Sequence, residues 1–415
     1  MKRISTNMPN YDMQYHMRLR EWKMNQMQNK IAGQTKIQEL RDDPVAAAHS
    51  SRYQSHITRL NRFSENVQRI QGNGRVVEGY MQEALNILHR VRELAVTGAT
   101  GTFTTQEKQY MGEEINQLMR EFLEITNAQS GDGTTLFSGD NSLAHAFRAS
   151  YGNVKGSSQD VITSVEFVGT IHENLAEISE GSFIATNYPG NKVFWAEQQT
   201  VISAVDAGEY QVPGDTAISI DGNEIKLTAG DTIHSIISKI NDSGAAVKAK
   251  LDPVLNSLVL ITTSPHQLWL EDVGGGTVLQ DVGVLSDMGS LAPNNYAPDT
   301  SISGGSVFDM MIHIRDALYR GDSIEIGGSG IQGIDTAMDN LLTSMAELGA
   351  RDKRLEIVGE RLAFEIPKMI QRNSVEVDLD MAEAITNLKM LEYTHKAALQ
   401  TAGRILQPTL LDFMR

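Results

Sequence analysis

Two long stretches of this sequence set apolar residues at alternating steps of three and four. The first runs Leu60, Phe63, Val67, Ile70, Gly74, Val77, Met81, Ala84, Leu88, Val91 and Ala95; the second runs Leu341, Met345, Leu348, Asp352, Leu355, Gly359, Leu362, Ile366 and Met369. That spacing is the heptad seam of a coiled coil, and a seam needs another helix to cover it. A helix over residues 45–96 would be roughly 75 Å long at 1.5 Å per residue, longer than an ordinary globular domain is wide. Gly74 on the seam, with Gly72 beside it, is placed for a close helix approach or a local bend. Aromatics make up only 6% of the chain while Met reaches 18 residues, so much of the apolar surface suits helix seams better than a compact aromatic core.

Other helices follow from shorter signals. The segment GATGTFTTQEKQ breaks the first seam with Gly98 and Gly101, and Thr104 followed by Glu107 reads as a capping box. The helix it opens has the seam Met111, Ile115, Leu118, Phe122 and Ile125. The first thirty residues carry two apolar edges: Ile4, Met8, Tyr11 and Tyr15 on one, Met13, Met17, Met24, Met27 and Ile31 on the other. Near the other end Pro367 is expected to kink the second long helix, and NSVEVDLD to interrupt it. A last helix, with Asp380 and Glu383 fitting its cap and third position, carries Met381, Ala384, Leu388, Leu391, His395, Ala398, Ala402 and Ile405. Helices with such wide apolar edges need several neighbours, and nothing else in the chain is left to cover them. Packing between molecules is the economical reading for Ile4, Met8, Tyr11, Tyr15, Met381, Leu388, Leu391, His395, Ala398, Ala402 and Ile405.

Between the helical ends the texture changes. Six of the ten prolines lie between Pro189 and Pro298, and TAISIDGNEIKL alternates apolar and polar residues about a two-residue Asp221-Gly222 or Gly222-Asn223 turn. DTIHSIISKIND reads as a short helix with an acidic cap, and AAVKAKLDPVLNSLVLITT returns to strands. The pattern predicts an α+β protein in which a mainly β inserted domain, residues 146–300, is carried on a helical rod.

Charge follows the same division. Residues 1–130 hold 17 Lys/Arg against 14 Asp/Glu, and residues 131–300 hold 7 against 21, within a net charge of −16. An acidic middle with near-neutral ends argues against nucleic acid as a partner, since that needs a clustered basic face. With no Cys, disulfides, thiolate zinc sites and cysteine nucleophiles are excluded. The start has no apolar run after its two basic residues and no stretch reaches the length of a membrane span, so neither a cleavable signal nor a membrane anchor is expected.

Chemistry is sparse. Asp42 and Asp43 are adjacent carboxylates, but neighbours in sequence point in different directions, and a working acid pair draws its members from separate segments. Asp43 as N-cap with Pro44 at the first helical position explains the same letters, because the carboxylate accepts a helix amide and the ring needs no donor there. The ten His show no metal grammar: His49 with His56, or Glu83 with His89, has no third ligand at usable spacing. DVGGGTV lacks a following Lys and the G-x-G-x-x-G spacing, so it reads as a loop, and no G-x-S-x-G elbow occurs. No catalytic, metal or cofactor residue is expected, and the chain does not read as an enzyme.

At both ends the residues resemble a known family, the bacterial flagellins and flagellar hook-associated proteins. RISTNM at residues 3–8 is similar to their opening, and RDDPVAAA to the acid-acid-Pro-Ala turn after their first helix. RELAVTGATGTFTTQEKQYMGEEINQLMREFLEITNAQ resembles their second helical stretch. LGARDKRLEIVGERL and DLDMAEAITNLKMLEYTHKAALQTAGRILQPTLLDFMR resemble their carboxyl-terminal helices. The likeness covers about 140 residues at the front and 110 at the back on the coiled-coil pattern. Residues 210–285 resemble the hook IN motif. Three passages are closest to members at the hook-filament junction: TTLFSGDNSLAHAF with EFVGTIHENLAEISEGSFIATNYPGNKVF, then SVFDMMIHIRDALYRGD, then the ending PTLLDFMR.

The resemblance implies a long antiparallel coiled-coil rod made by both chain ends. In it residues 1–42 and 373–415 form a terminal coiled-coil domain, and 43–145 with 301–372 form the rod. Asp42, Asp43 and Pro44 would set the joint between terminal helix and rod. The rod seam would be Leu60, Phe63, Val67, Ile70, Val77, Met81, Leu88 and Val91 with Leu341, Met345, Leu348, Leu355 and Leu362. It also implies a structural subunit exported through the flagellar type III apparatus without cleavage, to an extracellular flagellum or a periplasmic one. Its partners would be hook-associated protein 1, flagellin, further copies in a ring on the hook, and an export chaperone on the last helix. Filament flagellin, or an adhesin or enzyme carried by the β insertion, are the alternatives.

Overall fold

The structure is a computed structural model, described here for residues 8–131, 133–141, 143–157, 159–286 and 292–405. Three helices open the chain: α1 Met8–Gly33, α2 Pro44–Ala99 and α3 Thr105–Thr126. Then come β1 Phe147–Gly152, β2 Val161–Phe167, β3 Leu175–Ser179, β4 Ser182–Ala185, the single turn α4 Gly190–Val193, β5 Thr200–Ile202, β6 Thr216–Ile220 and β7 Asn223–Leu227. After these lie α5 Ile233–Asp242, β8 Val247–Leu251, β9 Leu258–Thr262, β10 Leu270–Val273, the short α6 Val278–Asp281 and β11 Ser301–Ser303. The chain closes with α7 Val307–Arg320, the single turn α8 Ser323–Glu325, α9 Ile331–Val377 and α10 Met381–Ile405. The fold is α+β, with long helices at both ends and small antiparallel sheets between them.

Contacts divide the chain into two compact units, one of Met1–Glu65 with Gly359–Arg415 and the other of Asn66–Val358, and the division falls inside α2 and α9. In the first unit α1 packs against α10 and the start of α2 against the end of α9. Both pairs are antiparallel: Arg20 reaches the Thr394 carbonyl while Lys36 reaches that of Val377, and Ser50 donates to Asn373 while His56 lies 3.7 Å from Glu365.

In the second unit the seams meet a larger core. Val67, Ile70, Val77, Met81, Leu88 and Val91 of α2 are buried, as are Leu341, Leu348 and Leu355 of α9, with Met345 half-buried. The capping box of α3 is made as its sequence implies: the Glu107 N–H donates to Thr104 Oγ1, and Glu107 Oε2 accepts from the Thr104 N–H. That donor holds the Glu107 carboxyl below the usual carboxylate range. Helix α7 repeats the device with Ser306 and Asp309, and ends on Gly321 at φ 76°, a left-handed position that suits glycine.

Arg315 of α7 is wholly buried, donating to the Ile162 carbonyl and through Nε and Nη2 to Asp316 at 2.9 and 2.7 Å. In the same unit an aromatic hub closes the junction of helices and sheets. The Phe194 ring meets Phe122, Phe137 and Phe147 at 5.6, 4.8 and 6.0 Å between centroids, all edge to face. Its carbonyl accepts from the Val307 N–H, so the entry to α7 is fastened to the same point.

A separate core fills the sheets β10-β6-β7 and β11-β5-β9-β8 around Ile236 and Ile240 of α5. The β6–β7 hairpin turns on Asp221 and Gly222, at φ 50° and 77°, the pair of positive angles a two-residue hairpin turn requires.

Four details depart from the sequence expectation. Gly72 and Gly74 make no close approach, since a Cβ at either would meet nothing within 4 Å. On the helices that pack against α7, close approach falls instead at Gly98, where a Cβ would stand 2.4 Å from Leu318 Cδ2, and at Gly112, where it would stand 2.7 Å from the Tyr319 ring. The interruption at NSVEVDLD shrinks to three residues, because α9 runs through Pro367 to Val377 and α10 starts at Met381. Asp231 does not cap the α5 backbone; Thr232 holds that position, and Asp231 instead accepts from Thr228, Ser235 and Lys239.

Candidate assembly surface

The joint is built by carboxylates acting on backbone amides. Asp43 Oδ1 accepts from the N–H groups of Val45 and Ala46 at 3.1 and 3.0 Å, which fixes the start of α2 at Pro44. Asp42 turns the other way: its Oδ2 accepts from Gln38 and Glu39 at 3.1 and 3.4 Å, tightening the connection from α1. The Gln38 N–H is the main cause that holds the Asp42 carboxyl below its ordinary range. Across from them Asp380 Oδ1 takes the N–H groups of Ala382 and Glu383 at 2.9 and 3.1 Å. The two connections are themselves laced together, Lys36 N to Val377 O at 2.7 Å and Leu379 N to Gln34 O at 3.1 Å. Nothing here gathers carboxylates toward a common point, and among the described residues no group of three His, Asp or Glu is placed to hold a metal.

Helix α1 is two-sided. Met13, Met17, Met24, Met27 and Ile31 are half-buried on the α10 side. Tyr11, Tyr15 and Trp22 stay 70, 60 and 54% exposed, and Leu19 sits between them. At about 100° per residue these four fall within roughly 80° of one another, nearly opposite the methionine edge. On α10, Leu388, Leu391, His395 and Ala398 are half-buried within the chain, so α1 already covers part of the set read as intermolecular, whereas Met381 is exposed. Ile4 lies outside the described residues, and the side chains of Met8, Ala402 and Ile405 do too.

The sequence reading missed Leu19 and Trp22, which continue the Tyr11 and Tyr15 steps by four and three, and Ile385, Met390, Tyr393 and Leu399, which are exposed on α10. Of the remaining seam positions in this unit, Leu60 and Leu362 are buried and Phe63 is half-buried. No helix among the described residues is long and apolar enough to cross a membrane.

Comparisons with known proteins bear on what such a surface serves. The description "Bacterial flagellin N-terminal helical region" matches residues 4–142, and "Flagellin hook IN motif" matches residues 213–264. A flagellar filament 31.3 kDa core protein of Treponema maltophilum is 33% identical over 110 residues, 26% of this chain and 38% of that protein. Flagellin A of Vibrio anguillarum is 23% identical over 412 residues, 96% of this chain and 94% of its own. Among solved structures, a flagellar hook-associated protein 3 from Legionella pneumophila aligns at TM-score 0.44 and 17% identity, over 78% of this chain and 97% of its own.

Proposed function

We propose that this chain, whose residues 4–142 and 213–264 match flagellin family regions, is an exported structural subunit of the bacterial flagellum and that it joins the hook to the filament. The observation that carries an assembly role is the open apolar side of α1, Tyr11, Tyr15, Leu19 and Trp22, on a helix whose other side is already occupied. Isolated exposed apolar residues are ordinary, but a continuous helical stripe of them, three of the four aromatic, marks a surface made to be covered.

The junction in particular is supported by the passages around residues 134–194 and 306–322. In them Phe137, Phe147, Phe194, Ser306 and Val307 fasten the β region to α3 and α7. In this reading residues 1–42 with 373–415 are the joining device, and Asp42, Asp43 and Pro44 set its angle. The neighbours are hook-associated protein 1, flagellin and further copies in a ring. An export chaperone takes the apolar side of α10 before assembly.

The test is co-sedimentation of the full chain, and of a version cut to residues 44–372, with hook-associated protein 1 and with flagellin. The junction reading expects the full chain alone to stay monomeric and only the full chain to join the complex. A second reading, filament subunit, is favoured by the near full-length match to Flagellin A of Vibrio anguillarum; spontaneous growth of long filaments from the pure chain would establish it instead.

A further inference from the structure

A cleft of about 310 Å³ opens in the β region, where segments distant in sequence converge. Glu173 follows β2, Asn191 and Lys192 belong to α4, Asp221 and Asn223 come from the β6–β7 turn, and Ser264 and His266 follow β9. Its size lies at the low end of small-ligand sites, which suits a single sugar ring rather than a dinucleotide. The walls are held in place from behind. Asn191 and His266 are 5 and 6% exposed although both line an open cleft. His266 Nε2 meets Asp221 Oδ2 at 3.0 Å and its Nδ1 meets the Ser264 carbonyl at 2.8 Å, so the ring ties the hairpin turn to the segment after β9. Asp221 Oδ1 accepts from the Trp269 N–H at 3.0 Å, which fixes the turn from a second side.

Charge decides the class of ligand. Glu173 already faces Arg351 at 3.8 Å, Lys192 faces Glu347 at 3.1 Å, and both Asp221 oxygens are engaged by Trp269 and His266. An added anion would meet the Glu173 and Asp221 carboxylates, and an added cation the Lys192 ammonium, so a charged ligand would not recover its desolvation cost. The groups left for a ligand are neutral. Asn191 spends one N–H on the Gln267 carbonyl at 3.3 Å, and among the described residues no hydrogen bond engages its Oδ1 or the Asn223 side chain. These two amides and the Ser264 hydroxyl both donate and accept, which matches sugar hydroxyls that do the same. Ile171, Pro189 and Ala246 supply apolar wall for the C–H faces of a sugar ring. We propose that this cleft binds a neutral, hexose-sized sugar, free or as the terminal unit of a glycan. That function is additional to the assembly role and independent of it.

Saturation-transfer NMR of the full chain with glucose, galactose, mannose and N-acetylglucosamine, each on the order of 10 mM to reveal millimolar affinity, is the test. Inorganic phosphate and putrescine serve as charged competitors. The expected result is transfer to at least one sugar, unchanged by either competitor and weakened about tenfold or more by Asn223→Ala, which removes an amide, and by Ala246→Phe, which fills the mouth. Both residues are exposed, so each variant should keep the melting curve of the parent. Retention of the chain on an immobilised form of the bound sugar would identify the terminal unit of a glycan as the ligand, and binding of the free sugar alone would identify the soluble molecule; either upholds the proposal. No transfer to any sugar would overturn it, as would transfer that survives both substitutions. Displacement of the sugar by phosphate or putrescine would overturn it too, because the cleft would then select charge.

Discussion

The backbone N–H of Lys36 meets the carbonyl of Val377 at 2.7 Å, which ties the α1–α2 connection to the α9–α10 connection although the two residues lie at opposite ends of the sequence. The Lys36 side chain adds a second link, Nζ to the Val375 carbonyl at 2.9 Å. Both terminal helices therefore leave their partners at one place, and the carboxylates of Asp42, Asp43 and Asp380 fix the backbone there.

The joint should matter more for assembly than for folding. Asp43→Ala with Pro44→Ala removes two amide acceptor contacts at the start of α2, a loss of about 1 kcal/mol by the usual value of a cap. Against the stability of the whole chain that is small, whereas a changed exit angle displaces everything at the tip of α1. Thermal melting and co-sedimentation on the same preparation separate the two; equal losses in both would leave the joint no special role.

Phe194 should be the most sensitive single position in the helical core. It is fully buried and touches three other rings, so Phe194→Ala leaves a cavity where α3, α7 and the β region meet. A loss of about 3–5 kcal/mol is expected from such truncations, read as a lower urea midpoint. A change below about 1 kcal/mol would mean the hub collapses readily around the gap.

Acid should loosen the hook IN region through Asp231. Lys239 at 2.5 Å, then the Thr228 N–H, hold its carboxyl far below the ordinary range. A folded-state value below the unfolded one means the group stabilises the fold at pH above the unfolded value of about 3.9, and that this is lost as pH falls from there toward the folded value. Asp231→Asn should lower stability at neutral pH and flatten its fall between about pH 4 and 2. An unchanged acid slope in the variant, followed by far-ultraviolet circular dichroism, would remove Asp231 from the account.

What the sequence disclosed was periodic or local. The seams of α2 and α9, the Thr104 box, the Asp43 cap and a turn about Gly222 each write their own signature in neighbouring letters. What it concealed depends on pairing over long distances. Arg315 reads as one more charged residue on an amphipathic helix, and only the approach of β2 turns it inward onto the Ile162 carbonyl. The same limit applied to the assembly surface. Tyr11 and Tyr15 stood out as an apolar edge, but whether α10 would cover that edge or the methionine edge is settled by packing. Spacing set Leu388, Leu391 and His395 on one seam apart from Tyr393, but that α1 of the same chain half-buries them follows only from packing.

Glycine positions sharpen that contrast into an experiment. The heptad marks Gly74 as a seam position, yet open space surrounds it, so Gly74→Ala should stabilise α2 by about 1 kcal/mol through helix propensity. Gly112 carries no such mark, yet a Cβ there would stand 2.7 Å from the Tyr319 ring and 3.5 Å from the Arg315 carbonyl. Tyr319 is buried and Arg315 is fixed by its own hydrogen bonds, so neither can give way easily. Overpacking of about 1–3 kcal/mol should outweigh the same propensity gain, and Gly112→Ala should melt lower than the parent. Opposite signs in the two melts would establish that α3 and α7 are held at contact distance by Gly112. A stabilised Gly112→Ala chain would place α7 farther from α3 than the distances above.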